Sequence, residues 1–377
     1  MKKILFLATY NLGVRTGGGL ATLAYYNALN CLYPNHVDLM MPNEYCNGKY
    51  GNAIKVPSRS IIKVISSGSI HRYKSQMNDY LSQYAEDYDL CVINGGIYAG
   101  DMIGIIHHFG IKVLVIHHNF EREYQMDNNT PFALWGLSPF LVNINEKRAY
   151  LQSDLNCFLT LEDKEQFEKI YGARYDSNFV IHVFEPETMQ DSLIFNDKEN
   201  CIAITGSLDT VQTIVGIEDF RNNYLNIFKD LCPDWKVLVA GRNPGKKIIQ
   251  LKDSMPDTVD VIPNPVDMSE LLKKVSIFLC PTNVGGGLKL RVMDGLRMGI
   301  PILVHKVSAR GYDAFFDKPF FKIYYDQKSF REGLEALKDY CRTSCSNQEI
   351  YQTYMSEFGF EQGCIRIKSV IEKVLNR

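Results

Sequence analysis

Short apolar runs alternate with helical patterns along this chain, stop at residues 186–200, and then begin again. A strand buried on both faces of a parallel sheet is written as an unbroken apolar run, and successive parallel strands need a crossover, usually a helix. Residues 3–9 form such a run, repeated at 90–94, 113–117 and 155–160. Helical spacing joins Leu20, Leu23, Ala24, Ala28 and Cys31, and returns over 141–151 and 163–171. Pro186 and a polar, acidic stretch then interrupt the pattern and mark 186–200 as a linker. Beyond it, strands are expected at 201–206, 235–240, 259–262, 276–281 and 301–305. Helices are expected at 219–229, 246–254, 268–275 and 288–298, the last stopped by Gly299 and Pro301. The expected fold class is therefore α/β: two Rossmann-like, doubly wound parallel-sheet domains facing a central cleft, over residues 1–185 and 201–356. Residues 357–377 read as one amphipathic helix.

A length of 377 residues suits two or three domains. Lys and Arg number 41 against 43 Asp and Glu, a net charge of −2 that argues against a nucleic-acid partner. Any anionic ligand must therefore be met by a local patch. Ten cysteines lie scattered without a CxxC, Cys341 and Cys345 being the closest pair, as expected of a reducing compartment. The opening 1–8 has a short apolar stretch and no cleavage site after it, so it reads as a first strand and not an export signal. No segment approaches the roughly 20 apolar residues of a membrane helix. A cytoplasmic protein is expected.

In open parallel sheets ligands bind beyond the carboxyl ends of the strands, so a motif just after a strand carries the most weight. The strongest lies at 280–295, where a buried strand meets Gly285, Gly286 and Gly287, followed by Leu288, Lys289, Leu290 and Arg291, and then Asp294 on a helix. Glycines let backbone amides approach an anion, a helix start adds partial positive charge, and Lys289 and Arg291 would neutralise a diphosphate. Asp294 shares a helix face with Arg291 and can accept hydrogen bonds from a ribose diol. The competing reading is a plain turn with solvated cations and Asp294 bonded to Arg291; the combination of features favours the anion site. Arg242 follows the strand 235–240 and points toward the expected cleft, to meet either donor phosphates or a surface carboxylate.

Thr16, Gly17, Gly18 and Gly19 lie between the first strand and first helix, either closing backbone on a phosphate or sugar or making a tight turn. Asp87-Tyr88-Asp89 matches a DxD metal-nucleotide motif but precedes its strand, at the wrong sheet edge for a ligand. His107, His108, His117 and His118 have no third ligand type at a known spacing, so no metal is expected. Between 51 and 78, Lys55, Arg59, Lys63, His71, Arg72 and Lys74 interleave with isoleucines and a valine. Such a stretch either docks on anionic lipid headgroups or is a solvated loop.

The stretch 280–295 resembles the C-terminal signature of retaining GT-B glycosyltransferases of the GT4 type, in the subgroup written GGG-x-K/R-x-K/R. In that family glycines, a basic pair and a glutamate on the next helix hold the diphosphate of a nucleotide-sugar. Residues 204–209 are similar to the family's first C-domain strand and loop, placing Gly206 there, and Gly241-Arg242-Asn243-Pro244 to its GRNP turn. Residues 16–20 resemble its glycine loop opposite the donor. Residues 115–121 resemble its HNxE stretch, with His118 at the histidine that lines the acceptor side and contacts the transferred sugar. The likeness covers most of the chain and is closest over 201–313. Two positions depart: Gly286 stands where the commonest form has its first acidic residue, and Asp294 replaces its second.

The resemblance implies a metal-independent and cofactor-free hexosyltransferase-like enzyme of polysaccharide or glycoconjugate biosynthesis. Its partners would be a nucleotide-sugar donor and a glycan or lipid-linked glycan acceptor. His118, Lys289 and Arg291 take catalytic roles; Gly18, Gly19, Gly206, Arg242, Gly286, Gly287, Leu288 and Asp294 hold the donor. Residues 357–377 would cross back to the first domain, and 55–74 would supply peripheral contact with the inner face of a membrane. Gly286 and Asp294 motivate one rival, a GT-B-shaped binding protein without catalysis. A dinucleotide oxidoreductase is disfavoured, because neither glycine cluster gives GxGxxG with an acidic residue about 20 positions on.

Overall fold

The computed structural model describes residues 2–8, 12, 17–42, 54–56, 74–96, 99–121, 137–188, 198–343 and 345–377. The chain divides into two units, one of Met1–Met189 with Phe358–Arg377 and one of Gln190–Glu357.

Among the described residues the first unit carries seven strands: β1 (Lys3–Ala8), β2 (Val37–Pro42), β3 (Ile54–Val56), β4 (Tyr88–Asn94), β5 (Lys112–His117), β6 (Leu155–Phe158) and β7 (Asn178–Val180). They form one parallel sheet in the order β3-β2-β1-β4-β5-β6-β7. The apolar runs read from sequence are its centre, and Ile4 to Ala8 are wholly buried. Among the described residues, the helices in chain order are α1 (Gly17–Leu32), α2 (Lys74–Tyr84), α3 (Ile103–His108), α4 (Leu137–Gln152) and α5 (Leu161–Tyr171). Strand order reverses between β1 and β4. At such a switch point the flanking helices leave to opposite faces and open a crevice at the carboxyl edge.

The second unit has strands β8 (Glu199–Ser207), β9 (Lys236–Arg242), β10 (Val259–Pro263), β11 (Val275–Cys280), β12 (Ile302–His305) and β13 (Phe321–Tyr324). These also pair parallel, in the order β10-β9-β8-β11-β12-β13, so the reversal falls between β8 and β11. Its helices are α6 (Val211–Asp219), α7 (Leu225–Leu231), α8 (Lys246–Ser254), α9 (Met268–Leu272), α10 (Leu290–Arg297), α11 (Gln327–Thr343) and α12 (Asn347–Phe358).

Several element boundaries differ from the sequence expectation. The helix expected at 219–229 begins at Val211 and passes through a π-helical turn at Phe220–Tyr224 before α7. The buried side chains Ile217, Phe220, Tyr224, Leu225 and Phe228 nonetheless keep the three- and four-residue steps of an ordinary helical face through this turn. The helix expected to reach 275 stops at Leu272, because buried Val275 already pairs with Glu199 in the sheet. Leu288 and Lys289 lie outside α10, with Lys289 at its N-cap in extended conformation. Short strands such as β7 and β13 span too few residues for a periodicity to show.

The expected single helix at 357–377 is divided at Gly359, with α13 (Phe360–Leu375) beyond it. α13 belongs to the first unit and packs on α1. Gly363 lets α13 approach Phe184 closely, since a Cβ there would lie 2.1 Å from Phe184 Cδ2. Lys112 Nζ donates to the Val374 and Leu375 carbonyls at 3.2 Å each, placing a cation at the negative end of the helix dipole.

Candidate functional site

In the second unit the switch point is built by Gly206, Thr213 and Arg291. Gly206, the next-to-last residue of β8, has φ +150°, and a Cβ at this position would sit 2.1 Å from Arg291 Cζ. The guanidinium therefore rests directly over the strand end, a place that any side chain at 206 would occupy. Arg291 Nη1 donates to buried Thr213 Oγ1 at 2.7 Å, which orients the fork. Burial lowers the pKa of Arg291, and the nearby charge of Arg242 adds to the effect. A cation held this way, charged and poorly solvated, is primed for an anion.

After β11 the chain bends through Gly285 and Gly287, with φ of +84° and +70°. Gln212 from α6 packs against this bend, where a Cβ on Gly285 would meet its Nε2 at 2.3 Å. Lys289 Nζ donates to the Gly286 carbonyl at 2.8 Å and to Gln212 Oε1 at 3.3 Å, so the lysine spans the bend. Tyr312 secures the same segment from below by donating to the Lys289 carbonyl at 2.8 Å. Leu288 is half-buried between the bend and α10, and Gly287 is buried. Thr205, Thr213, Cys280, Thr282 and Arg291 line a narrow pocket at this edge. Arg242 ends β9 as an exposed residue, opposite Ser207 in register.

The Asp294 carboxylate pairs with Arg297, one turn further along α10. Arg291 reaches Thr213, while its charge still acts on Asp294.

In the first unit Gly17, Gly18 and Gly19 form the opening turn of α1, not a loop before it, and Thr16 lies outside the described residues. A hydrogen-bond chain runs from this turn across the switch point. Thr22 Oγ1 donates to the Gly18 carbonyl at 2.6 Å, Asn94 Nδ2 donates to Thr22 Oγ1 at 2.6 Å, and Asn94 Oδ1 lies 2.8 Å from His118 Nε2. With the Asn94 amide nitrogen committed to Thr22, its oxygen must accept, so the proton of the His118 ring sits on Nε2. Burial pushes the His118 pKa down to about 3, helped by His117, and the imidazole is neutral at physiological pH.

Of the neighbouring residues in this stretch, His117, Phe120 and Glu121 are buried and Asn119 is half-buried. His117 Nε2 pairs with Asn156 Oδ1 at 2.8 Å, its ring stacks on Phe158, and burial lowers its pKa to about 4. Glu121 is buried and its pKa is raised to about 7, while Asn119 Nδ2 donates to its Oε1 at 3.3 Å.

Asp87 and Asp89 flank the start of β4, at the amino edge, where Asp89 Oδ2 accepts from the Lys2 backbone amide at 2.7 Å. His107 pairs with Asp154 at 2.8 Å on the surface. No group of three or more His, Cys, Asp or Glu with metal-binding geometry occurs among the described residues. Of the basic segment 55–74, residues 57–73 lie outside the described residues.

Sequence reasoning passed over Thr22, Asn94, Gln212 and Thr213. Asn94 did carry a signal, a polar residue closing an otherwise apolar strand just before Gly95 and Gly96. Asn283 was also missed; its Oδ1 is buried beside the glycine bend and meets no hydrogen-bond partner among the described residues.

No family model matches the chain, and no curated protein matches it. Solved structures do. The Anabaena protein HepE (Alr3699) in complex with UDP superposes with a TM-score of 0.69 at 10% identity, covering 98% of this chain and 99% of that one. A glycosyltransferase from Rickettsia africae gives a TM-score of 0.69 at 11% identity over 100% and 99% of the two chains. The lipopolysaccharide outer core galactosyltransferase WaaB gives 0.68 at 12% identity over 98% and 99%. With two doubly wound parallel units and these neighbours, the chain has the GT-B fold.

Proposed function

We propose that this chain is a metal-independent GT-B glycosyltransferase. Its second unit, Gln190–Glu357, binds a nucleotide-sugar, and its first unit presents the acceptor, a hydroxyl of a glycan or lipid-linked glycan. The observation that carries the reading is Arg291, a desolvated cation set over Gly206 at the topological switch point beside the glycine bend. HepE is known with UDP and with UDP-glucose, which supports a uridine diphosphate donor here.

In this reading Arg291 and the amides of the bend receive the diphosphate, and Lys289 exchanges the Gly286 carbonyl for a phosphate oxygen. As the bond to the sugar breaks, negative charge grows on the diphosphate, and donors already aimed there stabilise it with little reorganisation. The sugar carbon becomes oxocarbenium-like, and the acceptor hydroxyl attacks from the face the diphosphate leaves, its proton passing to a departing phosphate oxygen, so configuration is retained. His118, neutral and held by Asn94, supplies a fixed hydrogen-bonding ring to the transferred sugar. Arg242 adds positive charge to the donor side. Among the described residues no helix is long and apolar enough to cross a membrane. Contact with a lipid-linked acceptor would fall to 55–74.

Thermal-shift measurements with UDP, GDP, ADP and CMP select the base, since a ligand at 100 times its Kd stabilises by roughly 2.7 kcal/mol. With the base known, Arg291→Ala is expected to cut turnover of the matching nucleotide-sugar by about a hundredfold or more. Near-normal turnover in that variant removes the assignment. The pairing of Asp294 with Arg297 favours a second reading, a nucleotide-sugar binding protein without transfer. It predicts nucleotide binding with no hydrolysis or transfer from any nucleotide-sugar.

A further inference from the structure

One turn of the second unit grips the glycine bend at both ends. The turn follows β12 and spans 306–311. Ser308 Oγ donates at 2.6 Å to the Thr282 carbonyl, where the chain leaves β11, and both residues are buried. The hydroxyl of wholly buried Tyr312 donates at 2.8 Å to the Lys289 carbonyl, where α10 begins. Thr282 and Lys289 bracket 283–288, so the two bonds close on the bend from either side.

The turn is fixed in its own right. Its Ser308 and Ala309 amides donate to the His305 carbonyl at 2.8 and 3.1 Å, and the Lys306 amide donates to the Tyr324 carbonyl at 2.9 Å. The Val307 amide donates to His305 Nδ1 at 3.2 Å. The bend has no such frame. Among the described residues the amides of 284–288 donate to no backbone carbonyl, and Gly285 and Gly287 hold positive φ. A glycine-rich stretch without backbone hydrogen bonds gains much conformational freedom when an end is released.

We propose that Ser308 and Tyr312 act as one brace, two positioning residues that order the glycine bend before a pyrophosphate group reaches it. The inference rests on the diphosphate reading of the bend given above. Each hydroxyl commits its proton to a carbonyl, so the brace works through the amides between them. Donors ordered in advance meet an anion without first losing backbone freedom. Lys289 also holds the bend through the Gly286 carbonyl, but it gives up that contact when it turns to a phosphate oxygen. The two hydroxyls keep theirs, which leaves them to hold the bend in the loaded state. A bend freed at one end must order itself on binding, and its affinity for the pyrophosphate group falls. Releasing the second end adds little, because the freedom has already been gained.

Tyr312→Phe and Ser308→Ala each remove one hydroxyl. The Lys289 carbonyl still accepts from the Val292 amide at 3.0 Å, so Tyr312→Phe leaves it partnered. The full chain is labelled with nitrogen-15 glycine and its relaxation is measured without ligand. Order parameters of about 0.85 are expected at Gly285, Gly286 and Gly287 in the parent, falling below about 0.6 in either variant, while Gly241 and Gly333 stay rigid. Bend glycines that are already loose in the parent, that stay rigid in both variants, or that loosen no more than Gly241 and Gly333 overturn the proposal.

Whichever of UDP, GDP and ADP the parent binds is then titrated by calorimetry. Affinity should fall about fivefold in each variant, and by well under the roughly 25-fold product in the double variant, since both changes release one segment. Unchanged affinity in both variants, or a full product in the double, sinks the brace and leaves the diphosphate reading standing. A parent that binds none of the three sinks that reading, and the brace with it.

Discussion

His118 Nε2 lies 2.8 Å from Asn94 Oδ1, and the same Asn94 amide reaches Thr22 Oγ1 at 2.6 Å through its nitrogen. One side chain at the end of β4 thus ties the HNxE histidine to the glycine turn of α1. The amide can point only one way, because Thr22 spends its own proton on the Gly18 carbonyl. The tautomer of His118 is thereby set by residues far from it in the chain.

Nitrogen-15 spectra of labelled histidine should therefore show His118 neutral and protonated at Nε2 down to about pH 4. Asn94→Asp sets a carboxylate against the ring and should raise its pKa by one unit or more, since an adjacent opposite charge favours the imidazolium. A wild-type His118 titrating near 6.5 removes the buried relay.

The pH dependence of stability follows from three buried groups whose signs differ. His118 and His117 have folded pKa values of about 3 and about 4, below the ordinary 6.5. Between those values only the unfolded state takes up their protons, so stability is lost as pH falls through this window. Glu121, raised to about 7 from 4.5, is protonated first in the folded state, so its contribution is lost as pH rises from 4.5 to 7. Two histidines against one glutamate leave a net loss of about 1.4 kcal/mol per pH unit on acidification from 6.5 to 4.5, counting these groups alone. Glu121→Gln removes the opposing group and should about double that slope in urea unfolding at stepped pH. An unchanged slope contradicts the assignment.

Gly206→Ala places a Cβ where Arg291 Cζ now lies at 2.1 Å, so the guanidinium must leave the end of β8. Nucleoside diphosphate affinity by calorimetry should fall at least about tenfold, while unfolding shows a loss of about 1–3 kcal/mol from overpacking. Undiminished affinity means that Arg291 does not bind where it now rests.

Gly363→Val tests the return of the C-terminal helix to the first unit. Its side chain would collide with Phe184, which a glycine Cβ already meets at 2.1 Å. A stability loss of about 1–3 kcal/mol is expected. Hydrogen exchange should localise the loosening to α13 and the adjoining α1. A variant as stable as the parent breaks this account of their packing.

Much of the fold was legible in the chain. β1, β4, β5, β8, β9 and β11 appear as apolar runs because a strand covered on both faces has no exposed position to fill with polar residues. The glycine bend and Arg291 were legible for a similar reason, since backbone with positive φ and a charge at a strand end leave local signs. The π turn at Phe220–Tyr224 was not, because the buried residues through it keep ordinary helical steps and leave no sign of a wider turn. Nor was the partner of Asp294: the i,i+3 rule allows Arg291 and Arg297 alike, and in the fold Arg297 pairs with Asp294 while Arg291 reaches Thr213.

By itself the sequence determined the class of layers, two sets of buried parallel strands with helices between them, because hydrophobic periodicity states which face of each element avoids water. Tertiary structure alone decided who meets whom: Thr22 with Asn94 across 72 residues, and Thr213 with Arg291 across 78. Those contacts depend on strand order, which places β1 beside β4 and β8 beside β11. A hydrogen bond acts over about 3 Å, so its partners are chosen by where the sheet brings them and not by their separation along the chain.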